Sequence, residues 1–91
     1  TSDTVEKAFV GLNIFAGFKM ATDRASRGAA GAALDILEPL HENVREWNRQ
    51  KSDQDIRSDL ELMEKLMTII DERSNQAQTR VGQQPNPWPR D

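Results

Sequence analysis

The sequence predicts an all-α protein made of a small three-helix unit, and three observations carry that expectation. Apolar residues recur at spacings of three and four in three successive segments, which is the period of one helix face. Two of those segments open on a polar residue with an acid three positions later, the form of a capping box. Only one stretch alternates with a period of two, and it has no second strand to pair with. The chain has 91 residues and no cysteine, so no disulfide framework supports it. A domain of this size has a thin core that a second copy would thicken, and the expected assembly is a helical-bundle homodimer.

The first helix is expected over residues 3–21, with Asp3 at its N-cap and Glu6 closing the box. Val5, Ala8, Phe9, Leu12, Phe15 and Ala16 then form one face. Gly11 and Gly17 each cost a helix about 1 kcal/mol, against roughly 6–12 kcal/mol from burying Val5, Phe9, Leu12 and Phe15. This helix is therefore expected to form docked, with that stripe against its own chain. A second stripe, Val10, Ile14 and Ala21, is surplus to one bundle and is expected to meet a second chain. On that division Phe15→Asp unfolds the domain and Ile14→Asp dissociates it.

Thr22, Asp23, Ser26, Gly28 and Gly31 predict a break. The second helix follows over residues 29–50, where Ala30, Ala33, Leu37, Leu40, Val44 and Trp47 make a lengthwise seam. Pro39 inside it removes an amide and crowds the preceding turn, which predicts a kink there or two shorter helices meeting near Glu38. Gly28, Ala29, Ala32 and Ala33 offer a small-residue face for close approach of another backbone.

The third helix is expected over residues 52–73, starting at Ser52 with Asp55 in its first turn. Ile56, Leu60, Met63, Met67 and Ile70 repeat by four and three, and Leu62, Leu66 and Ile69 widen the stripe enough for two neighbours. Residues 1–73 thus make the helical domain. Residues 74–91 read as a polar tail rich in proline and glutamine, in which Trp88 of PNPWPR docks onto the bundle or a second copy, stays disordered with the tail, or serves as a short motif for a partner's groove. Thr1 rather than methionine comes first, as in a processed or excised chain.

Function is bounded mostly by exclusion. There is one histidine, no cysteine and no tyrosine, no phosphate-cradling glycine loop and no paired-histidine helix. A nucleophilic triad needs His41 with a serine, and none of Ser2, Ser26, Ser52, Ser58 or Ser74 lies in a strand-turn-helix setting. The Glu38-x-x-His41 spacing resembles half of a carboxylate metal site in a bundle, but Pro39 lies within it. No enzyme activity, cofactor or metal is expected. The apolar stretch of residues 8–21 contains Asn13 and Lys19 and is shorter than the roughly 20 residues of a membrane span.

A non-enzymatic self-association or protein-interaction module remains, an adaptor or regulator. Its expected interface is Val10, Ile14, Phe15, Phe18, Ala29, Ala33, Leu62, Leu66 and Ile69. The alternative is a dimeric helical binder of duplex RNA or DNA using a strip of Lys19, Arg24, Arg27, Arg45 and Arg49. The net charge of −3 argues against a general polyanion binder. Glu42 and Glu46 also precede Arg45 and Arg49 by three, within pairing reach.

Overall fold

The computed structural model describes residues 2–83, with side-chain packing through Asn75. It is an all-α unit of three helices in an up-down-up path: α1 (Asp3–Ser26), α2 (Ala30–Lys51) and α3 (Gln54–Gln83). Short connections force each helix to run antiparallel to the one before it. α2 is the shared partner, and α1 and α3 approach each other less closely than either approaches α2.

Local chemistry sets the helix ends. Ser2, not Asp3, caps α1: its side-chain oxygen accepts the Val5 amide at 3.2 Å, leaving Asp3 and Glu6 in the first turn. The expected break at Thr22 is absent, because α1 continues to Ser26. Thr22 and Ser26 return their hydroxyls to the carbonyls of Phe18 and Asp23, a bonding mode that lets such residues sit inside a helix. The stop comes at Gly28, whose φ of +82° favours glycine. Around it Gly28 N–H donates to the Ala25 carbonyl at 3.0 Å and Ala29 N–H to the Arg24 carbonyl at 2.9 Å, which is a Schellman closure.

α2 runs unbroken through Pro39, so the alternative of two shorter helices meeting near Glu38 does not hold. Ser52, expected to start α3, instead ends α2 in the left-handed region at φ +51°. Asp53 caps α3, its Oδ1 accepting the Ile56 amide at 3.1 Å. Between them Asn48, nearly buried at 7% exposure, fastens the turn. It donates to the Asp53 carbonyl at 3.1 Å and accepts the Asp53 amide at 2.8 Å. Burying an amide is tolerable only with such partners. α3 is described through Gln83, ten residues beyond Arg73, so the start of the polar tail is not a helix end. Trp88 lies outside the described residues.

The core has two connected parts. Ile14, Val44, Ile56, Leu60 and Met63 pack at the level of mid-α1, with Val10, Phe18, Leu40 and Trp47 against them. Ala21, Ala33, Leu37 and Ile70 pack towards the α1–α2 turn. The seam read for α2 and the main stripe of α3 are both found here. The assignment of α1's two faces is reversed: Ile14, Gly17 and Ala21 are buried, while Phe9, Leu12 and Phe15 are at least 60% exposed.

Two physical reasons favour this choice. Gly17 and Ala21 leave room for α2 to come close, and a methyl on Gly17 would collide with Leu40. The same side of α1 carries the polar residues of its first turns, which find partners. Lys51 Nζ reaches Asp3 Oδ1 at 2.9 Å and Glu6 Oε1 at 3.6 Å, and Trp47 Nε1 donates to Glu6 at 3.1 Å. Lys7 Nζ lies 3.1 Å from Asp53 and 2.7 Å from Asp55.

Candidate functional site

α1 has two apolar faces on opposite sides, and its own chain uses only one. On the outward face Val5, Phe9, Leu12, Phe15 and Met20 are 43%, 62%, 63%, 60% and 48% exposed. Ala8 and Ala16, also exposed, lie between them. From Val5 to Met20 the single charge on this side is Lys19, whose ammonium sits 5.5 Å from the Phe15 ring centroid in a cation–π contact. At ordinary side-chain areas of about 150–250 Å² for the aromatics, the five large residues leave on the order of 600 Å² in contact with water. The largest apolar patch of a monomeric protein is about 300–600 Å².

The predicted interface residues divide under this geometry. Ile14 and Ala33 are 3% and 0% exposed and belong to the chain's own interior, as does Val10 at its edge, so they are not open to a second chain. Phe18 and Leu66 are partly buried against the core and Ala29 is half-buried. Phe15, Leu62 and Ile69 face water, at 60%, 54% and 46% exposure. Val5, Phe9 and Leu12, expected from the sequence to face the chain's own core, are surface, and so is Met20. The signal was present in the first turns: Asp3, Glu6 and Lys7 share a side with Ile14 and not with Leu12.

Beside this face, a cleft of about 200 Å³ opens where α1, α2 and α3 meet near the α1–α2 turn, lined by Thr22, Ala25, Ala30, Leu66, Ile69 and Ile70. It joins the outward face through Thr22 and Ser26, which also border a shallow depression beside Phe15, Phe18 and Lys19.

The five predicted basic residues do not form one strip on a single chain. Gly17 meets Leu40, and Asp3 meets Lys51, so α1 and α2 are antiparallel. Lys19, Arg24 and Arg27 therefore lie towards the α1–α2 turn and Arg45 and Arg49 towards the α2–α3 turn. Acids accompany all four arginines. Asp23 takes Arg24 at 3.0 Å and Arg27 at 3.2 Å, Glu42 takes Arg45 at 2.8 Å, and Glu46 takes Arg49 at 3.4 Å. The bond from Arg45 holds the Glu42 carboxyl below the usual range, and the same bond raises Arg45. Arg57 joins Arg45 and Arg49 with Asn48 and Ser52 around a cleft of about 300 Å³.

His41 Nε2 donates to Glu64 Oε2 at 2.9 Å. Glu38 borders a separate shallow cleft with Glu64 and Asp71. Among the described residues no group of three or more His, Cys, Asp or Glu side chains is arranged to hold a metal ion. No described helix is long and apolar enough to cross a membrane. The chain matches no family model, and neither a curated protein nor a solved structure is similar to it.

Proposed function

We propose that this chain is a non-enzymatic self-association module, an adaptor or regulator whose working surface is the outward face of α1 and whose partner is a second copy. One observation carries the reading: a charge-poor stripe from Val5 to Met20 is left in water while the opposite face of the same helix serves as core. Leaving Phe9, Leu12 and Phe15 exposed forgoes roughly 1.5–3 kcal/mol per side chain, which a second chain recovers. Two such faces bury roughly 1,200 Å² together, the lower bound of a stable interface. Depletion of charge at the centre with aromatics present is the composition such interfaces have.

Light scattering on a dilution series from about one to a hundred micromolar tests the reading. The expected mass is twice that of the chain at the upper end. Phe9→Asp should return the monomer mass with helical circular dichroism unchanged. A wild-type monomer at every concentration overturns it.

A second reading, binding of duplex RNA or DNA, has its own observation in the Arg45, Arg49 and Arg57 cluster. Guanidinium groups around an open cleft suit successive phosphates. Affinity would then fall steeply with salt and drop on neutralising the three arginines. Binding that is undetectable at low ionic strength removes it.

A further inference from the structure

We propose that the second copy docks antiparallel, α1 on α1, about a two-fold axis at the level of Leu12; this rests on the self-association reading and specifies its geometry. Residues 8–16, AFVGLNIFA, read nearly the same in both directions about Leu12. On a helix with 100° and about 1.5 Å per residue, Phe9 and Phe15 lie about 4.5 Å before and after Leu12, on opposite sides of it. Ala16 shares the side of Phe9 and Ala8 shares the side of Phe15, each about 6 Å from Leu12 along the axis. In an antiparallel two-fold pair each position meets the one on its own side and at the opposite end. Phe9 then lies over Ala16 of the second copy, Phe15 over Ala8, and Leu12 meets its counterpart. Each large side chain is received by a small one, the alternation that lets helices interdigitate.

Charge selects the antiparallel sense. A parallel pair would also set each phenylalanine beside an alanine, but it brings like ends together. The pole at the start of α1 carries Asp3, Glu6, Lys7, Lys51, Asp53 and Asp55 and is net acidic, while Lys19, Asp23, Arg24 and Arg27 leave the other end of α1 net basic. Antiparallel docking places the acidic end of one copy beside the basic end of the other and opposes the helix dipoles. Continuity with the rest of the fold agrees: the face is open along its whole length, since α1 uses its other side for α2 and α3.

The chain has no cysteine, so single introduced cysteines report distances between copies without interference. At Leu12 the two copies lie across the axis, and with axes about 8–10 Å apart and Cα atoms about 2.3 Å from each axis, their separation falls below the roughly 7 Å a disulfide tolerates. At Val5 the mates are displaced seven residues on either side, about 21 Å apart. Mild oxidation of L12C is expected to give covalent dimer at least about ten times faster than V5C. Mixing V5C with K19C should give a crosslinked heterodimer. Equal crosslinking of V5C with itself means a parallel pair and overturns the proposal while leaving self-association standing. A dimer by light scattering in which L12C stays uncrosslinked places the interface elsewhere and overturns it as well. A monomer by light scattering overturns both readings at once.

Discussion

Gly17 and Gly11 are the same residue in the same helix with opposite meanings. A Cβ on Gly17 would run into Leu40, whereas one on Gly11 meets nothing within 4 Å. Gly17→Ala should therefore cost about 1–3 kcal/mol through overpacking, less whatever the better helix propensity returns. Gly11→Ala should stabilise by up to about 1 kcal/mol. Thermal melts of the two variants side by side check this, and equal shifts would refute the close approach at Gly17. The sequence carried the glycine cost but not its reason, because a close approach depends on which residue of another helix arrives there. Asn48 was illegible for a similar cause. An asparagine near a helix end reads as surface, and only the path of the α2–α3 turn turns its amide inward.

At the scale of elements, the capping residues decide how the fold answers pH. The Ile56 amide, with the Lys7 ammonium also bonded to it, holds the Asp53 carboxyl below the usual carboxylate range. A depressed folded value stabilises fully above the ordinary pKa of about 3.9 and is lost as pH falls through the lower folded value. Thermal midpoints should thus decline on acidification below about pH 4. Asp53→Asn keeps an acceptor for the cap and should flatten that acid limb; an unchanged limb would assign acid sensitivity to other carboxylates. Lys7 and Lys51 are raised by their bonds to Asp55 and Asp3, so their contribution persists through neutrality and disappears in strong base. Helix existence and the α2 seam were readable from period alone. Boundaries were not: Ser52 and Asp53 are equally good candidate caps in sequence, and the left-handed geometry at Ser52 settles which one starts α3.

For the whole molecule, the faces of α1 decide what a charge does there. Ile14→Asp places a carboxylate among Val44, Ile56, Leu60 and Met63 and should unfold the domain. Phe15→Asp, on a side chain 60% exposed, should leave the helices intact and act only on association. Circular dichroism with light scattering separates these outcomes, and unfolding by Phe15→Asp would place it in the chain's own core. This inverts the division expected from sequence. Both faces of α1 repeat with helical period, so periodicity alone could not rank them. The polar residues near its start supplied the ranking through Lys51, Trp47, Asp53 and Asp55, which are distant in sequence.

The ion pairs that tie the helix ends to one another are gathered at one pole of the bundle. The start of α1, the end of α2 and the start of α3 meet there through Lys7, Lys51 and their acids. At the other pole Ala29 precedes α2 without a side-chain cap, and the helices are held by Ala21, Ala33, Leu37 and Ile70. The bundle thus behaves as a clasp fastened at one end. Added salt screens the ion pairs of the first pole and leaves the apolar contacts of the other in place. The uncapped start of α2 is expected to fray before the fastened pole in low salt, and that difference should narrow as ionic strength rises.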